Sequence, residues 1–518
     1  MFLKFILALM PILWLVVSLC YIKMPAYKAC PVALLIAIVL ALLYWKTPGM
    51  EVFTAGLEGA VMALWPIALV IIAAIFTYNL TVKTGAMNKI QNMLTSVSND
   101  KRVLVLIIAW AFGGFMEGMA GFGTAVAIPA SILCGLGFNP IFATVICLIS
   151  NATPTAFGSI GIPTVTIASV TGFDPISVAT TVSLQLFLMV IFTPMLLVTI
   201  AGGGLKSLKS SWHIALVSGL GFAVVQLITS RFIGAELPAV TGSVASMLLT
   251  ILAAKIFCKN TPEEYKIAPQ SDSELSAQEH IGFREAAVAW SPFLLIFVFL
   301  ITVSKLVPPI YNLLASVKTS VVIYSGEGAA PYTFSWLTTP GVLILIAAVL
   351  GGLLQKASVS EMLEVMGQTL KQMLKTIITL VTILAAAKIM GYSGMTRDIA
   401  AFLVAVTGTA YPFFAPLIGS IGTFVTGSAT SSSVLFGKLQ AEAASVIGIE
   451  EIWLVAANIM GATAGKIISP QNISVALAAT GNSGKESEIL RITLKYYVLY
   501  IVLFGLIAYF GRGLLMFL

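Results

Sequence analysis

Two charged side chains stand alone in long apolar stretches of the sequence. Glu117 is the only charged residue in positions 103–173, and Lys466 is the only one in positions 452–484. A charge inside a bilayer costs about 2.5–3.5 kcal/mol on insertion scales, so an intramembrane charge indicates function by default. A lone carboxyl suits a proton that is loaded and unloaded, and a lone amine suits an anionic group. The alternatives are a neutral Glu117 that joins two helices and a Lys466 whose amine extends to the membrane surface.

Other polar residues offer binding groups in less isolated positions. Lys388 is a third separate charge, but its apolar run ends a few residues later, so extension to the interface explains it almost as well. The tract 426–433, Thr-Gly-Ser-Ala-Thr-Ser-Ser-Ser, supplies hydroxyls that suit a substrate hydroxyl, a carboxylate or an alkali cation. Such hydroxyls also join membrane helices at roughly 0.6–2 kcal/mol per hydrogen bond. Both interpretations stay open.

One spacing occurs twice, 307 positions apart. Asn151 is followed by a Gly after seven positions and a Pro after twelve, and Asn458 is followed in the same way. Each copy comes after a tract of small residues, at 118–124 and 427–433. Gly permits unusual backbone conformations, Pro removes a backbone donor, and Asn can bond exposed backbone groups. Paired interrupted segments in the two halves of a chain indicate a transporter's binding site, so the spacing favours a carrier.

The composition indicates that the bilayer is the solvent of this chain. Of its 518 residues, 59% are hydrophobic and only 9% are charged, whereas soluble proteins have roughly 25% charged residues. Mean hydropathy is +1.02. From the recurring apolar runs we expect an all-α polytopic membrane protein with about 12–14 transmembrane segments. Cations concentrate in short loops such as 81–102, which favours a cytoplasmic position for that loop, an N-terminus outside and no nucleic-acid partner.

The chain divides into two halves around one polar segment. Residues 1–258 form the first half, with a predicted hairpin and broken helix at about 113–173. Residues 287–518 form the second half, with the corresponding elements at about 411–480. The segment 259–286 between them is too charged to enter a membrane. The five cysteines lack metal-ligand spacing and no phosphate-binding loop occurs, so we expect no cofactor and no ATP-driven pumping.

Several phrases of the sequence resemble one known family. They include Glu117-Gly-Met-Ala-Gly-Phe-Gly-Thr and Gly465-Lys-Ile-Ile-Ser-Pro-Gln, and the full set lies at 117–129, 147–151, 158–163, 289–293, 392–395, 412–416 and 454–471. On these phrases the chain resembles the bacterial L-lactate permease family, which also includes glycolate permeases. The resemblance implies proton-coupled uptake of lactate and related small 2-hydroxymonocarboxylates across the inner membrane, without enzymatic activity.

The chain is also similar to a wider ion-transporter superfamily. That similarity implies re-entrant hairpins paired with broken helices in an inverted repeat, often within homodimers. Applied here, residues 117–124 and 427–433 are hairpin tips, and the segments that start at Asn151 and Asn458 are broken helices.

The resulting hypothesis assigns roles to particular residues. Glu117 carries the coupling proton, and Lys466 holds the substrate carboxylate. The remaining expected substrate contacts are Gly121, Gly123, Asn151, Lys388, Thr430, Ser431, Ser432, Asn458 and Gln471. Many members of the family have an Asx residue before the Thr-Ser-Ser run and an Asn after it. Here the run reads Ser428-Ala-Thr-Ser-Ser-Ser-Val, so a different small carboxylate stays open as the substrate.

Three rival functions stay open from the sequence. A sodium-coupled carboxylate carrier of the same architecture would hold its cation with neutral Asn, Ser and Thr oxygens. An intramembrane enzyme would use Ser431 or Thr430 as nucleophile and Lys466 as base. A passive channel would show no countertransport of substrate.

Overall fold

The computed structural model describes residues 2–22, 24–121, 123–257, 261–267, 282–304, 306–327, 329–482 and 484–513. Among these residues, eleven helices are long and apolar enough to cross a membrane, or up to thirteen if each bent pair of helices is one span. The predicted all-α polytopic class with broken helices is confirmed. Most of the polar segment 259–286 lies outside the described residues, and the division into halves around it stays a prediction.

Thirteen α-helices are described before the polar segment. They are α1 (Phe2–Val16), α2 (Ala26–Leu43), α3 (Gly49–Met62), α4 (Leu69–Lys83), α5 (Ala86–Thr95), α6 (Lys101–Leu104), α7 (Gly113–Met119), α8 (Thr124–Gly135), α9 (Pro140–Ser150), α10 (Gly158–Thr171), α11 (Pro175–Ala201), α12 (Leu205–Phe232) and α13 (Pro238–Phe257). Wider π-helical turns occupy Val17–Tyr21, Ala63–Ala68 and Val105–Phe112, and a 3-10 turn occupies Thr153–Phe157.

Eleven further α-helices and one β-hairpin are described after it. They are α14 (Phe283–Ala289), α15 (Ser291–Thr302), α16 (Pro308–Ala315), β1 (Lys318–Val322), β2 (Pro331–Ser335), α17 (Pro340–Leu354), α18 (Val359–Tyr392), α19 (Met395–Thr407), α20 (Tyr411–Thr426), α21 (Ala429–Ile447), α22 (Glu451–Ile468), α23 (Pro470–Ala479) and α24 (Glu486–Phe510). The strands pair antiparallel with Lys318 opposite Ser335. Short 3-10 turns occupy Glu263–Tyr265 and Gly408–Ala410.

Both predicted hairpins are present, with tips rich in small residues. In the first, α7 ends at Met119 and α8 begins at Thr124, and Gly121 and Gly123 between them have φ values of 59° and 89°. In the second, α20 reverses into α21 at Gly427, whose φ is 72°. Residues with a Cβ rarely adopt this left-handed backbone conformation, whereas glycine adopts it without steric cost. The glycines therefore permit the tight reversals.

The first broken helix has its interruption where the sequence predicts it. The chain leaves α9 at Asn151, passes through the 3-10 turn, and turns left-handed at Ser159, Ile160 and Gly161, with φ values of 46°, 57° and 73°. The two helical parts meet at 49°. Positive φ in Ser and Ile is uncommon and persists only where the surrounding structure imposes it.

The second copy breaks elsewhere, which corrects the expectation of equivalent kinks. Helix α22 passes unbroken through Asn458 and Gly465, and the interruption falls at Ser469, immediately before α23. Gly465 allows α22 to pack closely against α20, because a Cβ at this position would lie 2.3 Å from the Ser420 carbonyl oxygen. Small residues let membrane helices approach closely. The equal spacing therefore corresponds to two different structures, a left-handed turn in the first copy and a closely packed continuous helix in the second.

The elements that hold the two isolated charges lie at the centre of the fold. In the most apolar part of Lys101–Met119 every residue is buried, and in α22 89% of the residues are buried. In the last span, Glu486–Gly513, the buried share is 28%. The 3-10 turn Thr153–Phe157 packs against both α7 and α22. The interior of the protein therefore brings together the first hairpin, the first break and the end of α22.

Candidate functional site

Glu117 and Lys466 form a buried ion pair. The distance from Lys466 Nζ to Glu117 Oε1 is 3.1 Å, and the two side chains are only 7% and 3% exposed. The pair joins the end of α7 to the last turn of α22. Removal of one partner from a buried pair costs about 3–5 kcal/mol, because the other charge is left uncompensated. The two charges therefore balance each other.

The carboxylate of Glu117 retains unused bonding capacity. The Thr155 hydroxyl lies 3.3 Å from Oε1 and 2.7 Å from the Asn151 carbonyl oxygen. The second oxygen, Oε2, is buried and has no hydrogen-bond partner among the described residues. A Cβ at Gly158 would lie 2.6 Å from Oε1. Glycine at that position therefore makes the room that the carboxylate occupies.

The first break also presents unpartnered polar atoms. Both amide atoms of Asn151 are buried, as is the hydroxyl of Thr153, and none has a partner in the described part of the chain. The hydroxyl of Ser469, at the second break, is in the same state. Buried polar groups are nearly always hydrogen-bonded in native proteins, and an unsatisfied one costs about 1–3 kcal/mol. Such groups at two helix breaks suit a polar ligand.

Helix α23 connects the second break to both hairpin tips. A Cβ at Gly123 would lie 2.9 Å from Val475, and one at Gly427 would lie 2.1 Å from Gln471 Oε1. The first tip also contacts the first break, since Ser159 Oγ donates to the Ala120 carbonyl at 2.9 Å. Gln471 is exposed, as is Ser474 one turn later. This polar face of α23 lies beside the second tip.

The hydroxyl tract divides into two groups. Ser432 Oγ donates to the Gly419 carbonyl at 2.6 Å, and Asn458 contacts the Ser432 carbonyl and Gln440 at 3.5 and 3.4 Å. These atoms join α20, α21 and α22. The hydroxyls of Thr430 and Ser431 make no hydrogen bond within the described residues. They are therefore available for a ligand, whereas direct substrate contact by Ser432 and Asn458 stays a prediction.

Lys388 belongs to a different cluster. Its Nζ lies 2.7 Å from Glu58 Oε1 on α3, and the Tyr392 hydroxyl lies 3.1 Å from Glu58 Oε2. Tyr392 stacks on Tyr324 at 3.7 Å between ring centroids, and Tyr324 donates to Glu51 at 3.2 Å. The structure thus gives Lys388 a carboxylate partner away from the Glu117–Lys466 pair. Its predicted role in substrate binding stays a prediction.

Sequence reasoning overlooked two carboxyl groups. Glu58 is a charged residue within the apolar stretch 49–83, and a charge in an apolar stretch is the signal that identified Glu117. Glu236 lies in the short turn between α12 and α13 and lines a cavity beside the first break. The sequence did not indicate a role for Glu236, because a charged residue in a short loop between two spans is ordinarily solvated.

Comparison with known proteins agrees with this architecture. The sequence profile of the L-lactate permease family matches residues 4–515. An L-lactate permease of Streptococcus iniae is 46% identical over 451 residues, which are 87% of this chain and 93% of that protein. An L-lactate permease of Escherichia coli K12 is 37% identical, covering 97% of this chain and 95% of its own length. A glycolate permease of the same organism is 35% identical, covering 98% and 96%.

A search of solved structures finds the YdaH transporter of Alcanivorax borkumensis. It is 14% identical, with a TM-score of 0.48 over 90% of this chain and 89% of that one.

These features define a multi-pass transport protein of the bacterial inner membrane, a permease. The chain belongs to the L-lactate permease family.

Proposed function

We propose that this protein takes up L-lactate and related small 2-hydroxymonocarboxylates, such as glycolate, together with protons. The relatives named L-lactate permease and glycolate permease, at 35–46% identity over most of the chain, support this substrate class. The interior supplies what such a substrate needs, namely one cation for its carboxylate, hydrogen-bonding groups for its hydroxyl and one acid for the coupled proton.

The buried pair of Glu117 and Lys466 is the observation on which the proposal rests. The Glu117 carboxylate neutralises the Lys466 amine at 3.1 Å. A proton on Glu117 removes that compensation and leaves Lys466 as a buried cation that requires an anion. The substrate carboxylate then takes the place of the Glu117 carboxylate. Proton and anion therefore bind together, because either alone leaves an uncompensated charge in the interior.

The neighbouring groups suit a 2-hydroxy acid. The unpartnered amide of Asn151 lies at the first break, and the free hydroxyls of Thr430 and Ser431 lie just after the second tip. The N-terminus of α23, with Gln471 in its first turn, adds backbone donors and a partial positive charge. We assign the carboxylate to Lys466 and the hydroxyl to these neutral groups. A site loaded with proton and anion is neutral and crosses the bilayer interior more cheaply than a bare charge.

Uptake of labelled L-lactate by vesicles that contain the purified protein tests the proposal. Accumulation with an acidic exterior and no Na⁺ is the expected result. Dependence on Na⁺, when choline replaces it at fixed pH, would instead indicate a sodium-coupled carrier. Preloaded vesicles should also exchange internal for external lactate, since a carrier reorients with substrate bound; lack of this countertransport would indicate a channel.

A further inference from the structure

A small cavity lies beside the first helix break, separate from the Glu117–Lys466 pair. Its volume is about 40 Å³, and Glu236 and Thr166 supply its polar side chains. The remaining walls are apolar and come from the 63–68 segment, α4, α10 and α17. A water molecule needs about 10–15 Å³ on this measure, together with two or more polar partners. The cavity is therefore large enough for a water molecule, and its two polar side chains are the groups that such a water could bond.

Thr166 of α10 lines the cavity and has an unpartnered hydroxyl. Its side chain is fully buried and its hydroxyl has no partner among the residues described. Thr171 of the same helix, by contrast, donates to the Ile167 carbonyl at 2.7 Å. An unpartnered hydroxyl that lines a cavity is the expected neighbour of an internal water. The cavity therefore combines a hydroxyl and a carboxyl that a water can bridge.

Among the described residues, Glu236 is the one titratable side chain that lines this cavity. Burial raises the pKa of its carboxyl, and hydrogen bonds to the backbone of Ala235 and Glu236 oppose part of that rise. The other described residues that line the cavity carry no charge. A carboxyl with a raised pKa is suited to accept a proton and to release it again.

The left-handed turn of the first break connects this region with the central site. A Cβ at Gly161 would lie 1.9 Å from the Ala235 carbonyl oxygen and 3.0 Å from the Glu236 Cα. Three residues earlier, Gly158 is in contact with the Glu117 carboxylate. The two acids therefore lie against opposite ends of one strained turn, which spans Gly158 to Gly161.

We propose that Glu236 is a second proton-carrying residue of this permease, on the path between solution and Glu117. The Glu236 carboxylate accepts a proton that reaches the cavity as a hydronium ion, and the hydronium becomes water. Glu236 becomes ionised again when its proton passes through water to the Glu117 carboxylate. No other bond changes overall. This inference rests on the proposed proton coupling, and it adds a relay residue outside the substrate site.

Vesicles that contain the full-length protein test it with labelled L-lactate. Glu236→Gln should slow uptake driven by a pH gradient by at least about tenfold, since a positioned proton-transfer group contributes 10²-fold or more. Countertransport at equal internal and external pH should keep its wild-type rate, because exchange of bound substrate requires no net proton transfer. Glu285→Gln, which changes an exposed carboxylate, is the matched control and should alter neither rate.

Thr166→Val is a second variant, in case Glu236→Gln fails to fold. Valine keeps the volume of the side chain and removes the hydroxyl that binds the cavity water, so it should also slow gradient-driven uptake selectively. Wild-type uptake rates and pH profiles in both variants would overturn the relay while leaving the proposed function intact. If the wild-type protein ignores the pH gradient, the proposed function and the relay both fail.

Discussion

Glu117 and Lys466 are 349 positions apart in the chain and 3.1 Å apart in the folded protein. Each is the lone charge of its own apolar stretch, and each is the only compensation that the structure gives the other among the residues described. Their contact joins α7 to the last turn of α22. In the proposed mechanism, protonation of Glu117 releases the Lys466 amine, so that one proton permits the binding of one anion.

Replacement of Glu117 should separate exchange from accumulation. Glu117→Gln imitates the protonated acid, so Lys466 stays available to the substrate and lactate countertransport should persist. Accumulation driven by a pH gradient should disappear, because no proton is carried. Measurement of both activities in the same vesicles checks this expectation, and undiminished accumulation would remove Glu117 from the coupling role.

Replacement of Lys466 should act on affinity. Lys466→Gln removes the cation for the substrate carboxylate, and loss of a charge-assisted hydrogen bond of about 1.5–3 kcal/mol weakens binding by roughly 10- to 150-fold. The concentration dependence of countertransport measures this change. Lys371→Gln, at an exposed position on α18, is the control and should keep the wild-type affinity. Wild-type affinity in Lys466→Gln would exclude the residue from the site.

The stability of the ion pair gives an independent prediction. Glu117→Gln and Lys466→Gln should each destabilise the protein in detergent by about 3–5 kcal/mol, because each leaves a buried charge without its partner. The double variant should be more stable than the sum of the two losses implies, since it buries no unpaired charge. Thermal unfolding of the four proteins measures the coupling. Strict additivity would contradict the contact.

Gly158 should be required for its small size. The residue has φ −64° and ψ 153°, which alanine adopts freely, so only steric contact opposes Gly158→Ala. The new Cβ would lie 2.6 Å from the Glu117 carboxylate and displace it. Gradient-driven uptake should fall by about the 10²-fold that a 1 Å misplacement can cost. Gly367→Ala, where no atom lies within 4 Å, should have no effect.

Asn151 and Asn458 should respond differently although their sequence contexts match. Both amide atoms of Asn151 are unpartnered, so Asn151→Ala should leave stability almost unchanged and weaken lactate binding. Asn458 is hydrogen-bonded to α21, so Asn458→Ala should cost about 1–3 kcal/mol of stability. Unfolding and transport assays on both variants distinguish a ligand contact from a helix contact. Equal behaviour of the two variants would contradict this division.

Much of the local structure follows from the sequence because its causes are local. Hydropathy indicates the spans, since a helix in lipid must satisfy its own backbone and present an apolar surface. Gly121 and Gly427 mark the hairpin tips because a reversal there requires positive φ. The isolation of Glu117 and Lys466 is visible in the sequence alone, and it identifies them as residues that need a partner.

The identity of each partner depends on the tertiary structure, because residue type and spacing do not determine which helices pack together. Lys466 and Lys388 are similar lone amines, yet one pairs with Glu117 and the other with Glu58. The spacing of Asn, Gly and Pro is equal in both repeats, but the two glycines have different neighbours. Gly465 packs against α20, whereas Gly158 lies against the Glu117 carboxylate. The cavity at Glu236 arises only where the α12–α13 turn meets the first break. Sequence determined which residues require burial with a partner; the long-range packing of helices decided which partner each one received.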